Sequence, residues 1–206
     1  MNPPTEASRP SVILASASKS RAHILRAAGV PHTTVPANID ESAVKRALAR
    51  NSAPALAVAE TLALQKAQHV SQSHRGAFVI GADQVLECDG RLFDKPADIE
   101  QARAHLCALR GKRHTLAGSI SLVRDGVVIW QHNDQAHLDM RELSDAFIEW
   151  YTEQMGDQIC ETVGAYKLEG IGAQLFETID GDFFSILGLP LLPLLDVLRR
   201  HGVMPS

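Results

Sequence analysis

Four short stretches of the chain place hydroxyl, basic or acidic residues directly after apolar runs, where a loop can present them to a ligand. Ser16-Ala17-Ser18-Lys19-Ser20-Arg21 follows the run Ser11 to Ala15 and precedes Ile24, Leu25 and Ala28 at helical spacing. Small hydroxyl residues at a helix start let backbone amides and side chains approach phosphate oxygens, the helix N-terminus favours an anion, and Arg21 has the fork to grip one bidentately. The same residues also suit plain capping, with Ser16 or Ser18 closing the helix end and Arg21 in solvent. Asp83 follows Phe78-Val79-Ile80-Gly81-Ala82. A carboxylate at the end of so apolar a strand is paired, metal-bound or protonated, unless it serves as a cap or turn. Asp40-Glu41 closes another strand-like region, and Lys95-Pro96 follows a turn. Carboxylates to hold a hard Mg2+ ion, with lysine and arginine to spread negative charge, are the ingredients of metal-assisted attack on a polyphosphate.

The elements that must position these residues alternate between helix and strand. Ser11 to Ala15 and His32 to Val35 have strand patterns, separated by a helix that Gly29 and Pro31 end. Glu41 to Gln72 reads as two helices broken at Pro54, and Phe78 to Ala82 as a buried strand. Asp89-Gly90 suggests a hairpin after Val85 to Cys88. Asp98 to Leu109 is a helix with Asp98 as N-cap, Ala102, Leu106 and Leu109 on one face, and Gly111 as its stop. Strand character runs from His114 to Met140 around the turn Asp125-Gly126, and helix returns from Ser144 to Met155 with Ser144 or Asp145 as cap. A glycine-punctuated segment from Gly164 to Phe184, with a turn pair at Asp180-Gly181, leads to a last helix, Leu191 to Arg200. Helix-connected and hairpin-connected strands together predict an α/β fold with a mixed sheet. Met1 to Pro10 reads as a disordered leader and 11–206 as one domain.

Composition narrows the partners. The chain has 206 residues, 20 Lys+Arg against 24 Asp+Glu for a net charge of −4, and 45% hydrophobic residues. A mild acidic excess argues against gripping nucleic acid, which needs a basic stripe. No apolar run approaches the roughly 20 residues that span a bilayer, and the N-terminus lacks a signal-peptide core. Cys88, Cys107 and Cys160 are far apart and read as reduced thiols of a cytoplasmic protein. The loops and spacings of P-loop NTPases, zincins, α/β-hydrolases and zinc ribbons are missing. Gly170-Ile171-Gly172 lacks the third glycine and the strand-loop-helix setting of a dinucleotide fingerprint. The nine histidines show no metal-ligand spacing.

Seven segments in order carry a resemblance: LASASKSR at Leu14 to Arg21, IDES at Ile39 to Ser42, QKA at Gln65 to Ala67, GADQV at Gly81 to Val85, Lys95-Pro96, GAYKLEG at Gly164 to Gly170 and GLPL at Gly188 to Leu191. Together they resemble the Maf family over nearly the whole chain. The resemblance implies a cytoplasmic nucleoside triphosphate pyrophosphatase that uses a divalent metal such as Mg2+ or Mn2+. Its implied fold is an elongated mixed sheet with flanking helices and two lobes around a central cleft, related to the inosine triphosphate pyrophosphatases and often dimeric. It places Ser16, Ser18 and Arg21 on the triphosphate, Lys66 and Lys95 on phosphate oxygens, and Glu41 on the metal. Asp83 becomes the group that activates water, as base, metal ligand or both, with Lys95 beside it in catalysis.

The family's branches differ near three of these positions. The branch that takes dTTP and UTP has a second arginine before the one matching Arg21, a threonine after the catalytic aspartate, and glutamine in a YGIQG-like segment. Here the residues are Ser20, Gln84 and Glu169. Gln84 and Lys167-Leu168-Glu169 are similar to the branch that hydrolyses 7-methyl-GTP, although that branch commonly carries tryptophan in place of Ser20. An ionised carboxylate only accepts hydrogen bonds, and guanine offers two adjacent donors, N1–H and N2–H, for it to take; uracil and thymine offer one donor between carbonyls, which suits glutamine. Glu169 therefore predicts a preference for guanine-type or modified purine triphosphates over dTTP and UTP, the alternative to it being a salt bridge with Lys167 or another lysine. A different class of function, nucleotide-dependent restraint of cell division without turnover, is also associated with relatives of the family.

Overall fold

Val12, Ile13 and Leu14 are all buried and form β1 (Val12–Leu14) between two parallel neighbours, β2 (Thr33–Thr34) and β3 (Phe78–Cys88). A strand covered on both faces reads as a continuous apolar run, as this one does. The computed structural model describes residues 10–205. Of the expected leader, all but Pro10 lies outside them. Seven strands form a mixed sheet in the order β2-β1-β3-β5-β6-β7, with β4 paired to β3, and helices flank it in an α/β arrangement. Among the described residues, no helix is long and apolar enough to cross a membrane.

The chain divides into two compact units. The first comprises the residues up to Asp83, Gly118–Asp134 and Gly188 onward; the second comprises Gln84–Ala117 and Gln135–Leu187. In the first unit, α1 (Lys19–Ala27) buries Ala22, Ile24 and Leu25, and Gly29 in the left-handed region (φ +70°) stops it. Asp40 caps α2 (Glu41–Arg50) by accepting from the Ala43 N–H. After Pro54, α3 (Ala55–Ser71) buries Val58, Ala59, Leu62, Ala63, Lys66, Ala67 and Val70. That face meets β3 at Gly81, where an added Cβ would overlap the Ala63 carbonyl oxygen and lie 2.9 Å from Ala67 Cβ. Only a glycine allows helix and strand so close.

In the second unit, Asp89 and Gly90, both at positive φ, turn β3 back into β4 (Arg91–Phe93). Asp98 caps α4 (Ile99–Leu109) through the Gln101 N–H, and Ala102, His105, Leu106 and Leu109 are its buried face. β5 (Arg113–Arg124) and β6 (Val127–Met140) follow, the stretch Gly118–Asp134 with its turn Asp125-Gly126 belonging to the first unit, and Ser144 caps α5 (Asp145–Met155). β7 (Phe176–Asp180) pairs antiparallel with β6, and the short α6 (Phe183–Ile186) precedes α7 (Leu191–Arg200) in the first unit. Leu86, Phe93, Leu106, Leu109, Leu138 and Tyr151 lie at the centre of this unit's core. Each unit holds one tryptophan. Trp130 on β6 stacks on His132 with centroids 5.7 Å apart, and Trp150 on α5 tilts against Phe147 at 5.4 Å.

The expected elements are present, but one strand runs further than its sequence pattern. β3 continues through Asp83 to Cys88 because β4 pairs with Leu86, Glu87 and Cys88. Asp83 therefore stands inside a strand, not at its end. β5 and β6 fill the expected strand-like stretch from His114 to Met140 and meet at the expected turn, Asp125-Gly126. Gly170-Ile171-Gly172 enters a 3-10 turn, with no strand before it and no α-helix after it.

Candidate active site

The hydroxyl-rich loop folds around Arg21. Ser18 is the N-cap of α1 and accepts from the Arg21 N–H at 3.3 Å, while Ser16 Oγ accepts from the Ser18 N–H at 3.2 Å. Arg21 is not in solvent: its Nε donates to the Gly188 carbonyl at 2.8 Å, and Nη1 donates to the Ala82 carbonyl at 2.9 Å and to Ser16 Oγ at 3.1 Å. Burial pushes the guanidinium below its ordinary pKa, while the charges of Asp83 and Glu41 act the other way. The two hydrogens of Nη2 lie outside these bonds, a donor pair suited to an oxyanion beside the N-terminus of α1. Capping and anion binding are thus compatible readings of the same loop.

Lys66 joins three elements. Its Nζ donates to Asp83 Oδ1 on β3 at 2.6 Å and pairs with Glu41 Oε1, in the first turn of α2, at 2.8 Å. The close approach at Gly81 explains the first contact. Gly81 and Asp83 share a face of β3, while Ala63, Lys66 and Ala67 share a face of α3. The Lys66 and Asp83 side chains are each 9% exposed, whereas that of Glu41 is 43% exposed. Asp83 is thus paired, one of the states its apolar setting requires. Removing one member of such a buried pair strands the other and costs about 3–5 kcal/mol.

Glu41 and Asp83 offer two hard carboxylates, a donor set suited to a divalent cation shared with phosphate oxygens and water. Among the described residues, no group of three or more His, Cys, Asp or Glu is arranged to hold a metal ion by itself.

The remaining candidates lie in the second unit. Lys95 is exposed in the segment between β4 and α4. Gln84 Nε2 donates to the carbonyls of Ser185 and Ile186, at 2.8 and 3.2 Å, so its amide orientation is fixed with both donors engaged and Oε1 left as an acceptor. Glu169 is exposed in the turn after Tyr166. Lys167 pairs instead with Glu161 at 2.7 Å and Gln158 at 3.1 Å, so the expected alternative of a Lys167–Glu169 salt bridge does not form. The structure therefore gathers Ser16, Ser18, Arg21, Glu41, Lys66 and Asp83 in one unit, and places Gln84, Lys95 and Glu169 in the other.

Sequence reasoning missed three supports. The carbonyls of Ala82 and Gly188 hold Arg21, and backbone acceptors leave no trace in residue type. Gly81 sets the distance from α3 to β3, a role that a glycine inside an apolar strand run could have signalled. The Tyr166 hydroxyl meets His114 Nε2 at 2.8 Å in the second unit's core, a pairing of distant residues that no local pattern announces.

The chain is similar to proteins of known name along almost its full length. A nucleoside triphosphate pyrophosphatase of Paramagnetospirillum magneticum is 50% identical over 190 residues, covering 92% of this chain and 98% of that protein. Another, from Hyphomonas neptunium, is 50% identical over 195 residues, covering 95% and 98%. A 7-methyl-GTP pyrophosphatase of Brucella abortus is 47% identical over 190 residues, covering 92% and 96%. The model of the Maf-like proteins matches residues 11–201, and the chain belongs to the Maf family.

Proposed function

We propose that this protein is a hydrolase that cleaves nucleoside triphosphates to the nucleoside monophosphate and pyrophosphate. The observation that carries this reading is Lys66 Nζ held between Asp83 at 2.6 Å and Glu41 at 2.8 Å, in the unit whose first helix and the loop before it present Arg21, Ser16 and Ser18. In this reading the triphosphate lies against the N-terminus of α1 and the Nη2 donors of Arg21. Asp83 takes the proton of a water whose oxygen attacks the α-phosphorus. The bond from that phosphorus to the bridging oxygen breaks, and pyrophosphate leaves with its charge spread over Lys66 and Arg21. A divalent cation, Mg2+ or Mn2+, held by Glu41 and Asp83 would neutralise phosphate charge and acidify the attacking water.

The preferred base in this reading is guanine or a modified purine such as 7-methylguanine. Glu169 supports it as an acceptor-only group, joined by Gln84, whose two donors are occupied. Three free thiols at Cys88, Cys107 and Cys160 support a cytoplasmic setting.

Pyrophosphate release from a panel of GTP, 7-methyl-GTP, UTP and dTTP, with Mg2+ or Mn2+ and after chelation, tests the reading. Asp83→Asn should lower kcat by about a hundredfold to ten-thousandfold with nucleotide binding retained. Undiminished release in that variant removes Asp83 from its role. Faster cleavage of UTP and dTTP than of the guanine nucleotides overturns the base preference.

A further inference from the structure

We propose that the buried Tyr166–His114 pair is a positioning device for base selection, fixing the turn that carries Glu169 and thereby setting how strongly guanine-type bases are preferred over pyrimidines. The inference rests on the reading of Glu169 given above.

The turn at Lys167–Gly170 is held from both sides. Within it, Gly170 N–H donates to the Lys167 carbonyl at 3.2 Å, and Ala173 N–H donates to the Gly170 carbonyl at 3.1 Å. On the exit side Gly172 lies so close to the Lys167 backbone that an added Cβ would be 2.9 Å from both its N and its carbonyl carbon. Lys167 itself is tied to Glu161 and Gln158. On the entry side the chain passes through two consecutive left-handed residues, Gly164 at φ +77° and Ala165 at φ +62°. An alanine in that region is strained and persists only where its surroundings dictate the backbone.

The surroundings here are aromatic and polar. Tyr151 Oη donates to the Ala165 carbonyl at 3.3 Å, and Thr162 Oγ1 donates to the Tyr166 carbonyl at 2.8 Å. The Tyr166 ring stands edge-on to Phe176 with centroids 4.8 Å apart, and its hydroxyl reaches His114 Nε2 at 2.8 Å. Gly164 fits under the same ring, since a Cβ there would lie 2.5 Å from Tyr166 Cε1 and 2.6 Å from Leu86 Cδ1. Two apolar side chains would fill this volume with no buried polar atoms to satisfy. The hydroxyl–imidazole pair instead gives Tyr166 a directional anchor. Burial holds His114 down to a pKa of about 4, so the imidazole stays neutral and the anchor intact at ordinary pH. Glu169 thus stands three residues from a locked side chain, at the exposed tip of a turn fixed at both ends. Selection between bases depends on the placement of such a carboxylate to within a fraction of an ångström.

Steady-state kinetics with GTP and UTP test the proposal in the full chain. Tyr166→Phe keeps the ring and removes the anchor. The kcat/KM ratio of GTP over UTP should fall by about tenfold, through a raised KM for GTP with kcat little changed. Tyr151→Phe, which frees the Ala165 carbonyl and removes the hydroxyl's contact with the Lys167 backbone, should shift the ratio in the same direction and serves if Tyr166→Phe does not fold. In a Glu169→Gln background, Tyr166→Phe should change the ratio no further. If Glu169→Gln alters the ratio while Tyr166→Phe and Tyr151→Phe only lower the melting temperature, the anchor is structural and the proposal is overturned. If Glu169→Gln leaves the ratio unchanged, the base-reading role of Glu169 falls first and takes the proposal with it.

Discussion

Arg21 works through geometry as much as charge. Its Nε and Nη1 are committed to the Gly188 and Ala82 carbonyls and Ser16 Oγ, so only Nη2 remains to meet an anion. A lysine at this position keeps the charge but cannot reproduce two carbonyl contacts diverging from one plane. Arg21→Lys should therefore cost about 1–3 kcal/mol of stability through stranded carbonyls, measured by urea unfolding. It should also raise KM for every nucleotide alike, since the triphosphate is common to all. An effect confined to one base would place Arg21 in base selection instead. The capping by the serine loop was readable from residue types alone. What the sequence could not convey is that Arg21 is itself held, because its partners are backbone oxygens brought from distant parts of the chain.

At the level of elements, the ion-pair cluster depends on how closely α3 lies on β3. Gly81→Ala forces the Ala63 carbonyl and Ala67 aside, with an expected cost of about 3 kcal/mol or more. The same displacement carries Lys66 away from Asp83, so kcat should fall even in the fraction that remains folded. Full activity at unchanged melting temperature would show that helix and strand have slack. Most elements were legible because their signals are local. Asp98 and Ser144 cap the helices they were expected to cap, Pro54 separates α2 from α3, and Asp89-Gly90 and Asp125-Gly126 turn the chain. The end of β3 was not, because its extra length is fixed by pairing with β4 and not by its own alternation. Asp83 shows the consequence: the need for a partner was visible, and its place inside a strand was not.

The two units should also respond differently to acid. His105 and His114 are both buried in the second unit, and burial lowers the pKa of each. For His105 the charge of Arg91 adds to this and Asp94 opposes it; for His114 the charge of Asp139 opposes it. His114 titrates near pH 4 when folded against an ordinary 6.5. Between these values the unfolded chain binds the extra proton, so stability is fully present above pH 6.5 and falls as pH drops toward 4. The loss from His114 alone approaches about 3 kcal/mol once both values are passed. Urea unfolding at pH 7 and pH 5 should show this slope, and His114→Gln should flatten it. An unchanged slope in that variant would assign the acid sensitivity to other groups. The two tryptophans make the response visible without any label. Trp130 reports on the first unit and Trp150 on the second, so Trp130→Phe and Trp150→Phe leave one fluorescent probe each. Acid should disturb the Trp150 emission at a higher pH than that of Trp130. Coincident transitions would mean that the chain melts as one cooperative block, and separated ones that half of it can lose its order while the other half still glows as native.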